Sequence, residues 1–413
     1  MRILHTSDWH LGRTLEGRSR QPEHEQFVDE ICDIARREQV HIVLITGDVF
    51  DGVNPPAAAE DLYYDALARL CDGGRRAVVV IAGNHDNPER LCAVRPLADR
   101  YGITLLGYPY DDPGVLAPAT GRVARLQAGP GWAEIGVPGL DYSAVVLALP
   151  YPSESRLNHV LADTLGEDKL QVAYSTRIGQ WLAGQASHYR PDTVRLAASH
   201  IFVAGGLESI DSERPIHMGG AYAVEPGALP AAAQYVALGH LHRPQPVRAA
   251  PAVTRYAGAP LAFSFSEEGQ AKSVVLVDVE PESTAPHIEE IPLSAGKPLV
   301  TWRATGGLAQ VERWVQEGRD KSAWVNVEVH VPHPLTAEEV QKLRTMREGF
   351  VQIRPVITGS DGLATEAAAR QQLSLEEQFV RFYAQRHAGA PPSPELVRLF
   401  LELAESDDGE VDA

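Results

Sequence analysis

Five apolar runs in this chain end on residues that bind metals or move protons. The runs RILH, HIVLIT, AVVVIA, VRLAA and YVAL lead into TSDWH (6–10), GDVFD (47–51), GNHD (83–86), SH (199–200) and GHLH (239–242). Each has the continuous apolar character of a strand buried on both faces, as in a parallel sheet. Such a sheet delivers the loops that follow its strands to one edge, where ligands collect. Asp8, His10, Asp48, Asn84, His200, His240 and His242 can therefore converge although they span more than half the sequence. Mixed oxygen and imidazole donors suit a pair of divalent first-row metals such as manganese, iron or zinc, and no thiolate joins them.

Taken singly, each motif is weak, because a histidine at a strand end is commonly a hydrogen-bonded core residue. The conjunction carries the weight. Five segments in order, each after an apolar run, bring groups that are costly to bury unless they are paired or metal-bound. His85 is the one motif histidine left over. Asp86 beside it is placed to orient its ring, which suits His85 for work as a general acid or base. Asp51 has two readings, a contact to substrate or a hydrogen bond to its own loop.

The 413 residues suffice for two to three domains with a large core. No apolar run approaches the roughly 20 residues that span a bilayer, and the first residues open into a strand without a signal-peptide pattern. Three cysteines, Cys32, Cys71 and Cys92, stand in no metal spacing and read as buried thiols of a reducing cytoplasm. The formal charge of −18 argues against a broad basic surface for nucleic acid. It leaves room for a nuclease whose positive charge comes from site metals and from a partner.

Residues 1–106 alternate strand and helix. PEHEQFVDEICDIARRE starts with Pro22 and sets Phe27, Ile31 and Ile34 at helical spacing, and PPAAAEDLYYDALARLC repeats the pattern with Leu62, Ala66 and Leu70. The expected fold is a layered α/β core. Hairpins are expected over 107–150, helix over 156–190, and strands at 194–198, 235–238, RYAGAP and SVVLVDV, closing a first domain over 1–280. A composition shift at 281–297 reads as a linker. The order strand, helix, strand, helix, strand over 298–357 reads as a small α/β cap, and a polar connector follows. Over 372–404 two amphipathic helices are expected, with stripes Leu375, Phe379, Phe382, Tyr383 and Leu396, Phe400, Leu403; a capping box of Ser374 and Glu377 opens the first. Residues 405–413 form an acidic tail.

The ordered pattern DxH, GDxxD, GNHD, H and GHxH resembles the calcineurin-like metallophosphoesterase superfamily. The resemblance implies that Asp48 is shared by two metals. Asp8, His10, Asp48 and His242 would hold one, and Asp48, Asn84, His200 and His240 the other. Two cations about 3.5–4 Å apart would clamp a phosphodiester and activate water, and His85, its ring oriented by Asp86, would contact the phosphate and assist the leaving oxygen.

Within that superfamily, MRILHTSDWHLGR, GDVFD, AGNHD, ALGHLHRPQ and RYAGAPLAFSFSE are similar to the SbcD family of nuclease subunits. Membership would imply manganese-dependent, ATP-modulated exonuclease and endonuclease action on DNA ends and hairpins. It would also imply an SMC-like coiled-coil ATPase partner, SbcC, a DNA-binding cap, and a homodimer. The helices at 374–403 suit docking on that partner, or on the chain's own body. Leu62, Tyr63 and Tyr64 suit a dimer contact, or the core. Two competing functions keep the same fold: a small-molecule nucleotide phosphodiesterase, and a scaffold without catalysis. The first has no need of the 130 or so residues after the catalytic domain, and the second no need of a complete ligand set.

Overall fold

In the computed structural model, residues 1–153, 156, 167–209, 222–357, 379–380, 383, 392–393 and 396–397 are described. The chain divides into two compact units. One comprises Met1–Trp302, Val315–Val327 and Arg344–Ile353, the other Arg303–Trp314, Glu328–Leu343 and Arg354–Ala413.

The elements run β1 Arg2–Thr6, β2 Thr14–Leu15, β3 Arg18–Ser19, α1 Gln21–Arg37, β4 Ile42–Thr46, α2 Ala57–Leu70, β5 Ala77–Ile81, α3 Pro88–Cys92, α4 Arg95–Ala98 and β6 Ile103–Leu106. There follow β7 Ala124–Gly129, β8 Trp132–Gly136, β9 Ser143–Leu149, α5 Glu167–Gln185, β10 Val194–His200, β11 Tyr235–Gly239, β12 Gln245–Pro246, β13 Val253–Tyr256, β14 Ser273–Asp278 and β15 His287–Pro292. Last come β16 Leu299–Ala304, α6 Gly307–Gln316, β17 Trp324–Val331, α7 Ala337–Met346 and β18 Phe350–Ile357.

The metal-type motifs do not share one parallel sheet. They end strands of two. The first sheet has the order β15-β14-β1-β4-β5-β6, and the second β12-β13-β11-β10-β9-β8-β7. β1, β4, β5 and β6 are mutually parallel, as are β9, β10, β11 and β13. Strand alternation sorts the side chains. Ile3, Ile42, Leu44, Val79 and Ile81 pack against Ala144, Val146, Leu196, Ala198 and Ala237 in one apolar layer between the sheets. The opposite faces of β1, β4 and β5 present Leu4, Val43, Ile45, Val78 and Val80 to Phe27, Val28 and Ile31 of α1 and to Tyr63, Ala66 and Leu67 of α2. Val145, Leu147, Ala197 and Val236 of the second sheet meet Tyr174, Ile178 and Leu182 of α5. The strands are apolar throughout because both faces are covered, and each large side chain so buried contributes on the order of 1.5–3 kcal/mol before ordering costs.

Several expectations need correcting. Residues 287–292, inside the stretch expected to be a linker, form the edge strand β15, paired antiparallel to β14 from Ser273↔Pro292 to Asp278↔His287. Its polar, exposed residues are those of a strand with no outer neighbour. Leu62 and Tyr63 are core residues, whereas Tyr64 is exposed. Strand, helix, strand, helix, strand does recur from β16 to β18, whose sheet has the order β16-β17-β18. The expected helices at 374–403 lie largely outside the described residues; of their stripes, Phe379, Tyr383 and Leu396 are helical. Of the helix expected over 156–190, residues 157–166 also lie outside them, and α5 occupies Glu167–Gln185.

Candidate metal centre

The carboxyl ends of β1, β4, β5, β10 and β11 meet at one edge of the two sheets. The β1 loop runs beside the β4 loop, with N–H groups of Asp8 and His10 donating to the carbonyls of Gly47 (3.0 Å) and Asp48 (2.9 Å). Trp9 between them is fully buried, its indole N–H on Thr6 Oγ1 and its ring edge-on to Phe27. Asp8, His10, Asp48 and His240 all have positive φ, at 53°, 45°, 49° and 105°. That region costs a non-glycine residue roughly 1–2 kcal/mol, and such backbones collect at functional sites. The glycines here answer to crowding. A Cβ on Gly239 would lie 1.9 Å from the Thr46 carbonyl oxygen, and one on Gly83 would lie 2.1 Å from Asp48 Oδ1.

All seven side chains singled out by the motifs come together. Asp8, His10 and His242 bring one ligand atom each within 4.8 Å of one another, and Asp8, Asp48 and His200 do the same. The Nε2 atoms of His10 and His242 are 3.0 Å apart. Asn84 Oδ1 lies 2.9 Å from His200 Nε2 and 3.0 Å from His240 Nδ1. Asp48 Oδ2 stands between the groups, 3.5 Å from His200 Nε2 and 3.7 Å from His10 Nε2. Asp8 is fixed by the Ser7 hydroxyl (2.6 Å) and the His240 N–H (3.0 Å), and His200 Nδ1 donates to the Thr46 carbonyl at 2.8 Å.

Burial makes most of these imidazoles neutral. It pushes His10 and His240 down to about 3, and it also lowers His242. Neutral rings keep the lone pair that a metal needs. His200 behaves differently. Burial alone would lower it, but the adjoining Asp48 carboxylate, with Asp8, holds it up at about 9. Burial works against ionisation of Asp48, yet His200, His85 and His10 keep its carboxyl well below the usual range. Asp8 is lifted by burial against the pull of His200, and the Asp48 charge adds to the rise. Neutral nitrogens and crowded carboxylates without a thiolate fit divalent cations.

His85 is buried beside this cluster, 6% exposed, with Nε2 4.0 Å from Asp48 Oδ2 and its ring edge-on to His10. Asp86 does not orient it. The Asp86 carboxylate instead accepts N–H groups of Gly83 (2.8 Å), Phe50 (2.9 Å) and Val49 (3.2 Å), tying the β4 and β5 loops together, so its expected catalytic role is corrected to a loop anchor. The ring's Nδ1 lies 2.7 Å from the carbonyl oxygen of Asp51. The Asp51 side chain is drawn toward two neighbouring side chains. It stands 3.4 Å from His10 Nδ1 and 3.7 Å from Arg13 Nη1.

Three neighbours of the cluster are not among the residues singled out from the sequence: Phe263 and Glu267, both within RYAGAPLAFSFSE, and Arg156. Glu267 has an oxygen 3.9 Å from His242 Nδ1 and pairs with buried Lys272, which also donates to the His242 carbonyl. Burial alone would raise the Glu267 carboxyl, but His242 and Lys272 hold it well below its ordinary value. The Phe263 ring packs edge-on against both His10 and His242 and lies beneath the guanidinium of Arg13. Arg156 reaches the β5 loop from far along the chain. A buried carboxylate behind a candidate ligand can be found only after folding.

Residues 1–244 match the family described as calcineurin-like phosphoesterase, and residues 296–387 the family described as type 5 capsule protein repressor C-terminal domain. The chain is 48% identical over 404 residues to the SbcD subunit of nuclease SbcCD from Bacillus subtilis (strain 168), covering 98% of each protein. The Rhodobacter capsulatus protein of that name is 36% identical over 315 residues, 74% of this chain and 72% of that one. The Escherichia coli (strain K12) protein is 29% identical over 426 residues, covering all of both. Among the described residues no helix is long and apolar enough to cross a membrane.

Proposed function

This chain belongs to the SbcD family of calcineurin-like metallophosphoesterase nucleases, and we propose that it is the catalytic subunit of an ATP-modulated complex cutting DNA ends and hairpins in repair, recombination and replication. The observation that carries the reading is the position of Asp48. Its Oδ2 faces His10 of one donor group and His200 of the other. This supports two divalent ions with Asp48 shared: one held with Asp8, His10 and His242, the other with Asn84, His200 and His240. Manganese is the metal proposed, in a cytoplasmic enzyme.

Bound there, divalent ions polarise a phosphodiester and lower the pKa of a bound water. The chain's own residues supply the rest. Asp51 and Glu267 lie behind His10 and His242 and hold their inner nitrogens toward the centre. Asn84 provides a neutral oxygen, which limits negative charge where a phosphate must enter. His85, held through Nδ1 by the Asp51 carbonyl, has Nε2 as the atom that meets the phosphate and passes a proton to the leaving oxygen.

The partner in this reading is SbcC, an SMC-like coiled-coil ATPase, with residues 372–404 as the docking segment and 298–357 as a DNA-binding cap; the nuclease subunit forms a homodimer. The relatives are named as one component of SbcCD, which supports a two-component assembly. The test compares linear plasmid DNA, a DNA hairpin and a chromogenic phosphodiester, with manganese or magnesium, with and without the ATPase. Manganese-dependent cleavage of all three, with hairpin opening requiring the ATPase and ATP, is expected. Hydrolysis of the chromogenic diester with DNA left intact under every condition would move the assignment to a small-molecule phosphodiesterase.

A further inference from the structure

Asn84 and His85 sit side by side in the loop after β5, and their usefulness depends on how that loop is held. Its inner side is tied by the His85 N–H on Asp48 Oδ1 (2.9 Å) and by the Asp86 carboxylate. Its outer side shows two carbonyls, those of Gly83 and Asp86, which bracket Asn84 and His85 in sequence. Arg156 takes both: Nη1 donates to the Gly83 oxygen at 2.7 Å and Nη2 to the Asp86 oxygen at 2.8 Å. The same guanidinium lies 5.5 Å from the centre of the Tyr151 ring. Tyr151 is itself fastened to this edge, its N–H on the Ala82 carbonyl and its ring edge-on to His200. A planar fork spans two acceptors at once, which a lysine ammonium cannot do in the same geometry.

Resting on the reading of the site given above, we propose that Arg156 is a positioning residue of the nuclease centre, its paired hydrogen bonds setting the orientation of Asn84 toward the metal and of His85 toward the phosphate. Its guanidinium meets the backbone of the loop and acts through it. Loss of an outer partner of this kind lowers metal affinity or activity by about 10–100-fold.

The experiment uses the full chain as wild type, Arg156→Ala and Arg156→Lys. Manganese binding is measured by calorimetry without substrate, hydrolysis of a chromogenic phosphodiester by steady-state kinetics, and folding by thermal melting. Arg156→Ala is expected to weaken one of two manganese sites and to lower kcat, each by about 10–100-fold, with KM little changed. Added guanidinium ion is expected to restore part of both losses while ammonium ion restores none, and Arg156→Lys should remain closer to alanine than to wild type. Wild-type behaviour of Arg156→Ala would overturn the proposal. So would a loss that follows a lowered melting temperature and ignores guanidinium, since that is a scaffold effect. If the wild type takes up no pair of manganese ions, the dinuclear reading falls and the role of Arg156 with it; if the wild type binds two and only the variants are unaffected, the Arg156 assignment alone falls.

Discussion

The Nε2 atoms of His10 and His242 face each other across 3.0 Å, and behind each ring stands a carboxylate. Asp51 lies 3.4 Å from His10 Nδ1, and Glu267 lies 3.9 Å from His242 Nδ1. Carboxylates there favour the tautomers that carry hydrogen on Nδ1. Two Nε2 lone pairs are then aimed at each other, an arrangement that a cation between them relieves. Asp51→Asn keeps the shape of the side chain and removes its charge, so manganese affinity should fall by about 10–100-fold with little change in melting temperature. Calorimetric titration checks this, and unchanged affinity would detach Asp51 from the metal centre. Glu267 is the poorer probe, because its removal also strands the buried Lys272 ammonium.

Asp48→Ala should abolish hydrolysis of DNA and of model diesters alike. Its Oδ2 is the oxygen that looks into both donor groups, so no other side chain can replace it for either. Anomalous scattering at the manganese edge reports occupancy directly. Two occupied positions with near-normal turnover in the variant would refute the bridging assignment.

His85→Ala should leave metal binding nearly intact and reduce kcat by about 10²–10⁴-fold, the range for a positioned acid or base. The ring's hydrogen bond to the Asp51 carbonyl is one tie between the β4 and β5 loops, and the Asp86 carboxylate and the backbone N–H of residue 85 keep the others. Collapse of metal occupancy in this variant would make His85 a ligand instead.

Metal uptake should release a proton from His200. Held at about 9 by Asp48 despite burial, this ring is protonated in the ion-free protein at neutral pH, and a cation must displace that proton. Apparent affinity should therefore rise with pH up to about pH 9, about tenfold per unit for the His200 proton and more steeply below about pH 8, where Asp8 also gives up a proton. Titrations in buffers of differing ionisation enthalpy count the protons released. A pH-independent affinity between pH 7 and pH 9 would show that His200 is already neutral.

The seven candidate ligands were legible because each closes an apolar run, and a run that short and that apolar is a buried strand whichever sheet it joins. Which sheet was not legible: β4 and β10 are both covered on two faces, so their sequences carry no mark of separate partners. β15 was lost for the opposite reason, since HIEEIP at an edge is as polar as a linker. Asp86 misled by adjacency. It follows His85 in sequence, but the turn out of β5 sends its carboxylate to the N–H groups of Gly83, Val49 and Phe50. Arg156 belongs to no motif, and Glu267, though it closes RYAGAPLAFSFSE, carries no mark in sequence of the His242 side chain it meets; both become partners of the site only through long-range packing.

His5 gives the nuclease fold an acid-sensitive seam. Its ring is fully buried between the sheets, with Nδ1 2.9 Å from the Tyr235 hydroxyl and Nε2 3.0 Å from Thr46 Oγ1. It thus joins β1 and β4 of the first sheet to β11 of the second. Burial lowers its pKa from 6.5 to about 3, so the unfolded chain binds a proton that the folded chain refuses between those values. The stability it permits is complete above about pH 6.5 and declines as the pH falls toward 3, at about 1.4 kcal/mol per unit. His5→Asn removes the titration while keeping a polar side chain at the seam. Urea unfolding with chelator present, compared at pH 7 and pH 5, should show the variant less stable than wild type at pH 7 but losing less on acidification, by about one proton's worth. Equal acid losses in the two proteins would show that His5 is not the group that titrates.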